Sequence, residues 1–252
     1  AAWSADGGET WTGATLPSNT NWEAVAYGDG VFVTISRLTA KAAWSEDGGK
    51  NWEAATLPFS ADWEDVTYGN GVFVAVGLDG RYMAWSEDGK TWKDATGRPS
   101  SGGWRKVAYG DGVFVAVADD SGISSRPKDR DMAAWSVDGK TWKTVSLSLP
   151  TPSFRYRWAA MAYGNGIFVA ADYHSNTVIW SEDGGKSWGG GANLPSKDWW
   201  SGMAYGDGMF VAFTHRDSTD RAAWSEDGKI WEPTTLPSPG SWTEGIYGVC
   251  GQ

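Results

Sequence analysis

The chain has 252 residues, a formal net charge of −10 and a mean hydropathy of −0.41. That acidic balance excludes sequence-independent nucleic-acid binding, which depends on cations that displace counterions. No run of about 18 apolar residues is present to span a membrane as a helix, and the single cysteine, Cys250, excludes an internal disulfide.

From the N-terminus, the first feature is a turn held between two tryptophans. Residues 3–11 read Trp-Ser-Ala-Asp-Gly-Gly-Glu-Thr-Trp, and the pattern returns at 44–52, 85–92, 135–142, 180–188 and 224–231. Apolar residues such as Met83, Ala84 and Trp85 lead into it as a strand would. Asp-Gly then breaks the strand, because glycine adopts positive φ and aspartate bonds its own turn backbone. The serine can accept a further backbone N–H, and the closing tryptophan can fold over the turn.

The second feature is Tyr27-Gly28-Asp29-Gly30-Val31-Phe32-Val33, repeated from Tyr68, Tyr109, Tyr163 and Tyr205, with a degenerate copy at Tyr247-Gly248. Asp-Gly or Asn-Gly between β-prone runs is a strong hairpin signal. A third mark lies five residues before each tyrosine: Trp22, Trp63, Trp104, Trp158, Trp200 and Trp242. Boxes and inner marks together account for every one of the 19 tryptophans except Trp199.

Each repeat therefore holds four strands. The first runs from the third tryptophan to Tyr-Gly, the second is Val-Phe-Val, the third enters the box and the fourth leaves it. The leading box tryptophans are spaced 41, 41, 50, 45 and 44 residues apart. Four strands per period of about 40 residues describe propeller blades. The fold expected is all-β, one domain over residues 1–252: a six-bladed β-propeller without helices. Because the chain opens in a third strand and closes in a first, its two ends are expected to share one blade. That blade lacks a Val-Phe-Val strand.

The turn resembles the Asp-box of sialidase-like β-propellers, Ser/Thr-x-Asp-x-Gly-x-Thr-Trp, matched throughout by Ser4, Asp6, Gly8, Thr10 and Trp11. The copies at Ser86, Ser136 and Ser225 are one residue shorter. The repeats are also similar to propeller repeats of phage tail and bacterial surface proteins. The resemblance implies that Asp6, Asp47, Asp88, Asp138, Asp183 and Asp227 are structural and lie away from the ligand face.

In such a blade the 2–3 and 4–1 loops share one face, and here they carry the variation. All ten arginines fall in or beside them. A rigid ring with divergent loops on one face is the usual layout of a recognition surface. Arginine forks, aspartates and aromatic rings together suit sugars, whose apolar face stacks while hydroxyls take charged partners. The candidate ligand residues are Trp199, Asp198, Arg155, Tyr156, Arg157, Arg105, Tyr173, His174, His215, Arg216, Arg81 and Tyr82. Trp199 stands out because it breaks the repeat. The six inner tryptophans are read as blade packing. His174 and His215 lack ligand spacing, so no metal and no cofactor is expected.

The function these residues suggest is a non-enzymatic, lectin-like carbohydrate-binding propeller, with a glycan, acidic or neutral, on the loop face. A protein-interaction or assembly scaffold is the alternative, and a sialidase-like glycoside hydrolase the second alternative. Sialidases carry an Arg-Ile-Pro element, which this chain lacks; Phe154-Arg155-Tyr156-Arg157 is a faint echo of it, so no catalytic residue is assigned. The expected setting is secreted, cell-surface or virion-associated, with a cytoplasmic one left open.

Overall fold

The computed structural model describes residues 1–78, 82–97, 103–119, 132–147, 149, 156–216, 220–238 and 240–241. These residues form six antiparallel sheets and no helix. The first sheet pairs β1 (Ala2–Trp3) with β2 (Thr12–Gly13). The second runs β3 (Trp22–Gly28), β4 (Val31–Ser36), β5 (Thr39–Ser45) and β6 (Glu53–Ala61). The third runs β7 (Trp63–Gly69), β8 (Val72–Gly77), β9 (Met83–Ser86) and β10 (Lys93–Asp94). The fourth holds β11 (Gly103–Gly110), β12 (Val113–Asp119), β13 (Met132–Ser136) and β14 (Lys143–Ser146). The fifth holds β15 (Trp158–Gly164), β16 (Ile167–Asp172), β17 (Thr177–Ser181) and β18 (Gly189–Asn193). The sixth holds β19 (Trp200–Gly206), β20 (Met209–Arg216), β21 (Arg221–Ser225) and β22 (Glu232–Thr235), with β23 (Gly240–Ser241) paired to the end of β20.

This is a six-bladed propeller. The inner strands touch in the order β3, β7, β11, β15, β19, and β1 with β2 are the outer pair of the blade that closes the ring. The expected inner strand of that blade, residues 242–248, and Cys250 lie outside the described residues. An apolar groove of about 1160 Å³ adjoins β1 and is lined by Trp3, Trp11, Trp22, Val25, Phe32 and Trp52 among others.

Each inner hairpin turns on two residues with positive φ, such as Asp29 (49°) and Gly30 (81°) or Asn70 (48°) and Gly71 (77°). That is the primed turn whose twist matches the flanking strands. The box turns close on themselves as their residues dictate. Ser45 Oγ donates to Asp47 Oδ1 (2.8 Å) and accepts from the Gly49 amide (3.0 Å). Asp47 Oδ1 also accepts from the Asn51 amide (2.9 Å), and Trp52 Nε1 donates to the Gly49 carbonyl (2.8 Å). Strands run further into two loops than the sequence suggests. Leu57 and Ala61 are buried, so β6 continues to within one residue of β7, and the turn from β4 to β5 is only Arg37-Leu38.

Candidate functional site

The site begins with a repeated irregularity. Each inner strand slips register immediately after its tryptophan: between Trp22 and Ala24, Trp63 and Asp65, Trp104 and Lys106, Trp158 and Ala160, and Trp200 and Gly202. A bulge leaves one residue out of the ladder and re-aims its side chain. The residues so displaced are Glu23, Glu64, Arg105, Ala159 and Ser201, and all of them line one cavity of about 340 Å³. Trp63, Trp104, Trp158 and Trp200 are fully buried beside them. The indoles of Trp63 and Trp200 donate to the carbonyls of Phe59 and Ser196 (3.2 and 3.0 Å), four residues back. These four tryptophans are therefore packed inside the ring beside the bulges, with no face open to solvent.

Arg37, Lys106, Arg157, Tyr173 and His215 complete the lining. The cavity opens at the end of the ring where the 2–3 and 4–1 loops gather. A chain of ion pairs crosses it. Arg37 makes a two-pronged contact with Asp62, Nε to Oδ1 at 2.7 Å and Nη2 to Oδ2 at 3.2 Å, and its Nη2 lies 3.2 Å from Glu64 Oε1. Arg105 Nη1 lies 3.4 Å from Glu64 Oε2 and donates to Asp119 Oδ2 at 3.0 Å. Arg157 Nε lies 3.3 Å from the same Asp119 oxygen. Four blades are thus tied together through Glu64 and Asp119. Burial pushes the Glu64 carboxyl up to about 7, against the opposing pull of Arg105 and Arg37. The Asp62 carboxylate holds Arg37 above the usual guanidinium range, and burial raises Asp172 although the Arg157 amide bonds it.

Beside the cavity stands an aromatic pair. Tyr173 and Trp199 stack at 5.8 Å with 17° between their planes. The Arg157 guanidinium lies over the other ring partner, Tyr173, at 4.8 Å, and His174 meets Tyr173 edge-on at 4.9 Å. Trp199 is 41 % exposed, yet its backbone is fixed: its amide bonds Asp198 Oδ1 (2.9 Å) and its carbonyl accepts from the His215 amide (2.8 Å). Buried Asp198 also takes Arg221 Nη1 at 2.9 Å.

Arg105, Arg157, Tyr173 and His215 line this cavity, His174 and Trp199 adjoin it through their contacts with Tyr173, and Asp198 is buried beneath Trp199. Tyr156 is elsewhere. It is buried, stacked on Trp158 at 5.1 Å and 6°, and packs among Val115 and Val117 of one blade and Phe168 of the next. Tyr82 packs on Phe59 and Trp63. Arg81 and Arg155 lie outside the described residues, as does the side chain of Arg216, whose backbone pairs with Gly240. Sequence reasoning left out Glu23, Glu64, Arg37, Lys106 and Ser201. Arg37 was visible only as one of the loop-face arginines, and the bulge that turns Glu23, Glu64 and Ser201 inward leaves no mark in the sequence.

No family model and no curated protein matches the sequence. Solved structures do. One, described as YCF48 bound to D1 peptide, aligns over 88 % of this chain and 68 % of its own at 17 % identity and a TM-score of 0.62. Another, a streptogramin B lyase, aligns over 87 % of this chain and 70 % of its own at 11 % identity and a TM-score of 0.67. Both are β-propellers, and at these identities the likeness establishes the fold and nothing finer.

Proposed function

We propose that the protein is a non-enzymatic recognition propeller that binds a glycan at the loop-face mouth. The observation that carries this reading is the stacked Tyr173–Trp199 pair, partly exposed and set beside a polar cavity. A sugar ring needs both parts: a flat apolar platform, and fixed groups that donate to and accept from its hydroxyls. Arg105, Arg157 and Ser201 supply donors there, and Glu23 and Glu64 supply acceptors. The hydrogen bonds that Asp6, Asp47, Asp88, Asp138, Asp183 and Asp227 accept within their own turns support a structural reading of these aspartates. The glycosidase reading has less support, because Glu64 is engaged by two arginines and Tyr173 by Trp199 and Arg157.

A glycan array with the purified protein, repeated with Trp199→Ala, tests the reading. Binding to a coherent set of glycans that Trp199→Ala abolishes is the expected result. A blank array from folded protein would turn the assignment to the second reading, a peptide-binding scaffold. That reading is favoured by the likeness to a structure solved with a bound peptide.

A further inference from the structure

The carboxylates at the mouth outnumber its cations among the described residues. Arg37 faces Asp62 at 2.7 Å and Glu64 at 3.2 Å, and Arg105 faces Asp119 at 3.0 Å and Glu64 at 3.4 Å. Arg157 lies 3.3 Å from Asp119, and Lys106 lies 4.0 Å from Asp65. These four cations thus meet four carboxylates, and Glu23 brings a fifth to the same cavity. Glu23 is exposed and takes no hydrogen bond or ion pair among the described residues. Glu64 is only 5 % exposed, yet its Oε1 accepts no hydrogen bond there either, because Arg37 offers it charge without an aligned N–H. A buried acceptor left unbonded is costly.

The two glutamates hold one structural position in neighbouring blades. Glu23 follows Trp22 in β3 and Glu64 follows Trp63 in β7, and each is the residue the bulge leaves out of the ladder. Their charges bear on one another. Burial raises the Glu64 carboxyl, Arg105 and Arg37 oppose it, and the charges of Asp62 and Glu23 add to the rise. A cation between two such carboxylates relieves their repulsion, and an ammonium, with three donors on one centre, can serve both.

We propose that the mouth receives the ammonium of an amino sugar between the carboxylates of Glu23 and Glu64. This rests on the glycan reading above and adds the charge of the sugar and the residues that read it. Charge-assisted hydrogen bonds are roughly twice as strong as neutral ones, so a hydroxyl in place of the ammonium leaves much of the attraction unused. A cavity of about 340 Å³ lies at the lower end of the range for small-ligand sites and suits one sugar residue. The partly exposed Trp199, stacked on Tyr173, takes the apolar side of the ring.

The test is calorimetric titration at pH 7 with the β-linked tetrasaccharides of glucosamine and of glucose, which differ only in carrying an amine or a hydroxyl at one carbon of each residue. The glucosamine ligand is expected to bind once per chain, at least about tenfold more tightly than the glucose ligand, the margin that charge-assisted hydrogen bonds supply. The chain's net charge of −10 attracts any cation, and two variants separate that background from the site. Glu23→Gln keeps the shape of the side chain and removes its charge, and is expected to cut the preference to within about threefold. Glu64→Gln is expected to cut it as well. Trp199→Ala is expected to weaken both ligands alike.

Equal affinity for the two tetrasaccharides would overturn this inference and leave the glycan reading standing. A preference for the amine that survives in both Glu23→Gln and Glu64→Gln would place the ammonium elsewhere and overturn the role of the pair. Binding of neither ligand, together with a blank array, would overturn the glycan reading itself.

Discussion

The ring of Tyr68 lies flat over Gly28 of the neighbouring blade, with its Cγ 2.0 Å from where a Cβ on Gly28 would stand. The same relation joins Tyr109 to Gly69, Tyr163 to Gly110 and Tyr205 to Gly164. Each Tyr-Gly pair therefore faces two ways, its tyrosine covering one neighbour and its glycine receiving the other. Tyr27, whose counterpart in the repeat is Gly248 outside the described residues, is 58 % exposed. Gly110→Ala is expected to destabilise the propeller by roughly 2–3 kcal/mol, since the ring must move and the packed interface cannot absorb a methyl group. The urea midpoint measures it. A loss below about 0.5 kcal/mol would mean that the ring swings aside freely.

The box turns should govern acid stability. In Asp47 the Asn51 amide, the Asn51 side chain and the Ser45 hydroxyl hold the carboxyl down at about 2, from an ordinary 3.8. A carboxyl depressed in the folded state adds stability above its unfolded value and loses it as pH falls through the folded one. Stability from this group should thus drain between about pH 4 and pH 2. Thermal melts across that window should show a shallower decline for Asp47→Asn than for the parent, with the variant already less stable at pH 7. Ligand affinity at pH 7 should be unchanged; its loss in a folded variant would place the box in the site.

Neighbouring boxes are clasped by a lysine. Lys140 reaches back to Glu87 at 2.5 Å while lying 4.4 Å over the Trp85 ring, and Lys90 repeats this with Glu46 and Trp44. The partners are largely exposed, so solvent and salt screen the ion pair, and the cation–π contact carries the larger share. Lys140→Ala is expected to cost about 0.5–1 kcal/mol, and Glu87→Ala less. A double-mutant cycle whose coupling vanished in 1 M salt would assign the clasp to charge alone.

Much of this architecture was legible because it repeats. Trp22, Tyr27 and the Asp29-Gly30 turn mark both ends of β3 to the residue, since each needs a particular backbone geometry. The mouth was less legible, for two physical reasons. The bulge after each inner tryptophan shifts which side chain faces inward, and nothing in Trp63-Glu64-Asp65 distinguishes the bulged glutamate from the paired aspartate. Burial of Tyr156 comes from its stacking on Trp158 just before β15 and its packing against the neighbouring blade, which spacing does not encode. Arg157 was identifiable by type and loop position, whereas its Asp119 partner comes from another blade.

Trp199 and Tyr173 should separate binding from stability. Trp199 is 41 % exposed, so Trp199→Ala gives up on the order of 100 Å² of buried area and should lower the unfolding free energy by roughly 2 kcal/mol while leaving the protein folded. The same change should lower glycan affinity at least tenfold, because the stacking platform is gone. Tyr173→Phe keeps both the ring and its contact with Arg157, and should bind within about threefold of the parent. Isothermal titration beside urea unfolding checks both; a Trp199→Ala variant with parental affinity would remove the aromatic pair from the site.

Glu64 should also leave a mark on stability. Its carboxyl is raised by burial from 4.5 to about 7, with Arg105 and Arg37 acting in opposition. A carboxyl raised in the folded state binds its proton more tightly there than in the unfolded chain. It therefore contributes stability fully below about pH 4.5 and loses it as pH rises to 7, by up to about 3 kcal/mol on linkage alone. Glu64→Gln stays neutral throughout. The difference in unfolding free energy between parent and variant should accordingly move in the variant's favour from pH 4.5 to pH 8, levelling off above 7. Urea unfolding at pH 4.5, 6, 7 and 8 follows the difference directly. A difference that stays flat would mean that Arg37 and Arg105 hold Glu64 ionised across the range, and that the mouth carries a permanent negative charge at its centre.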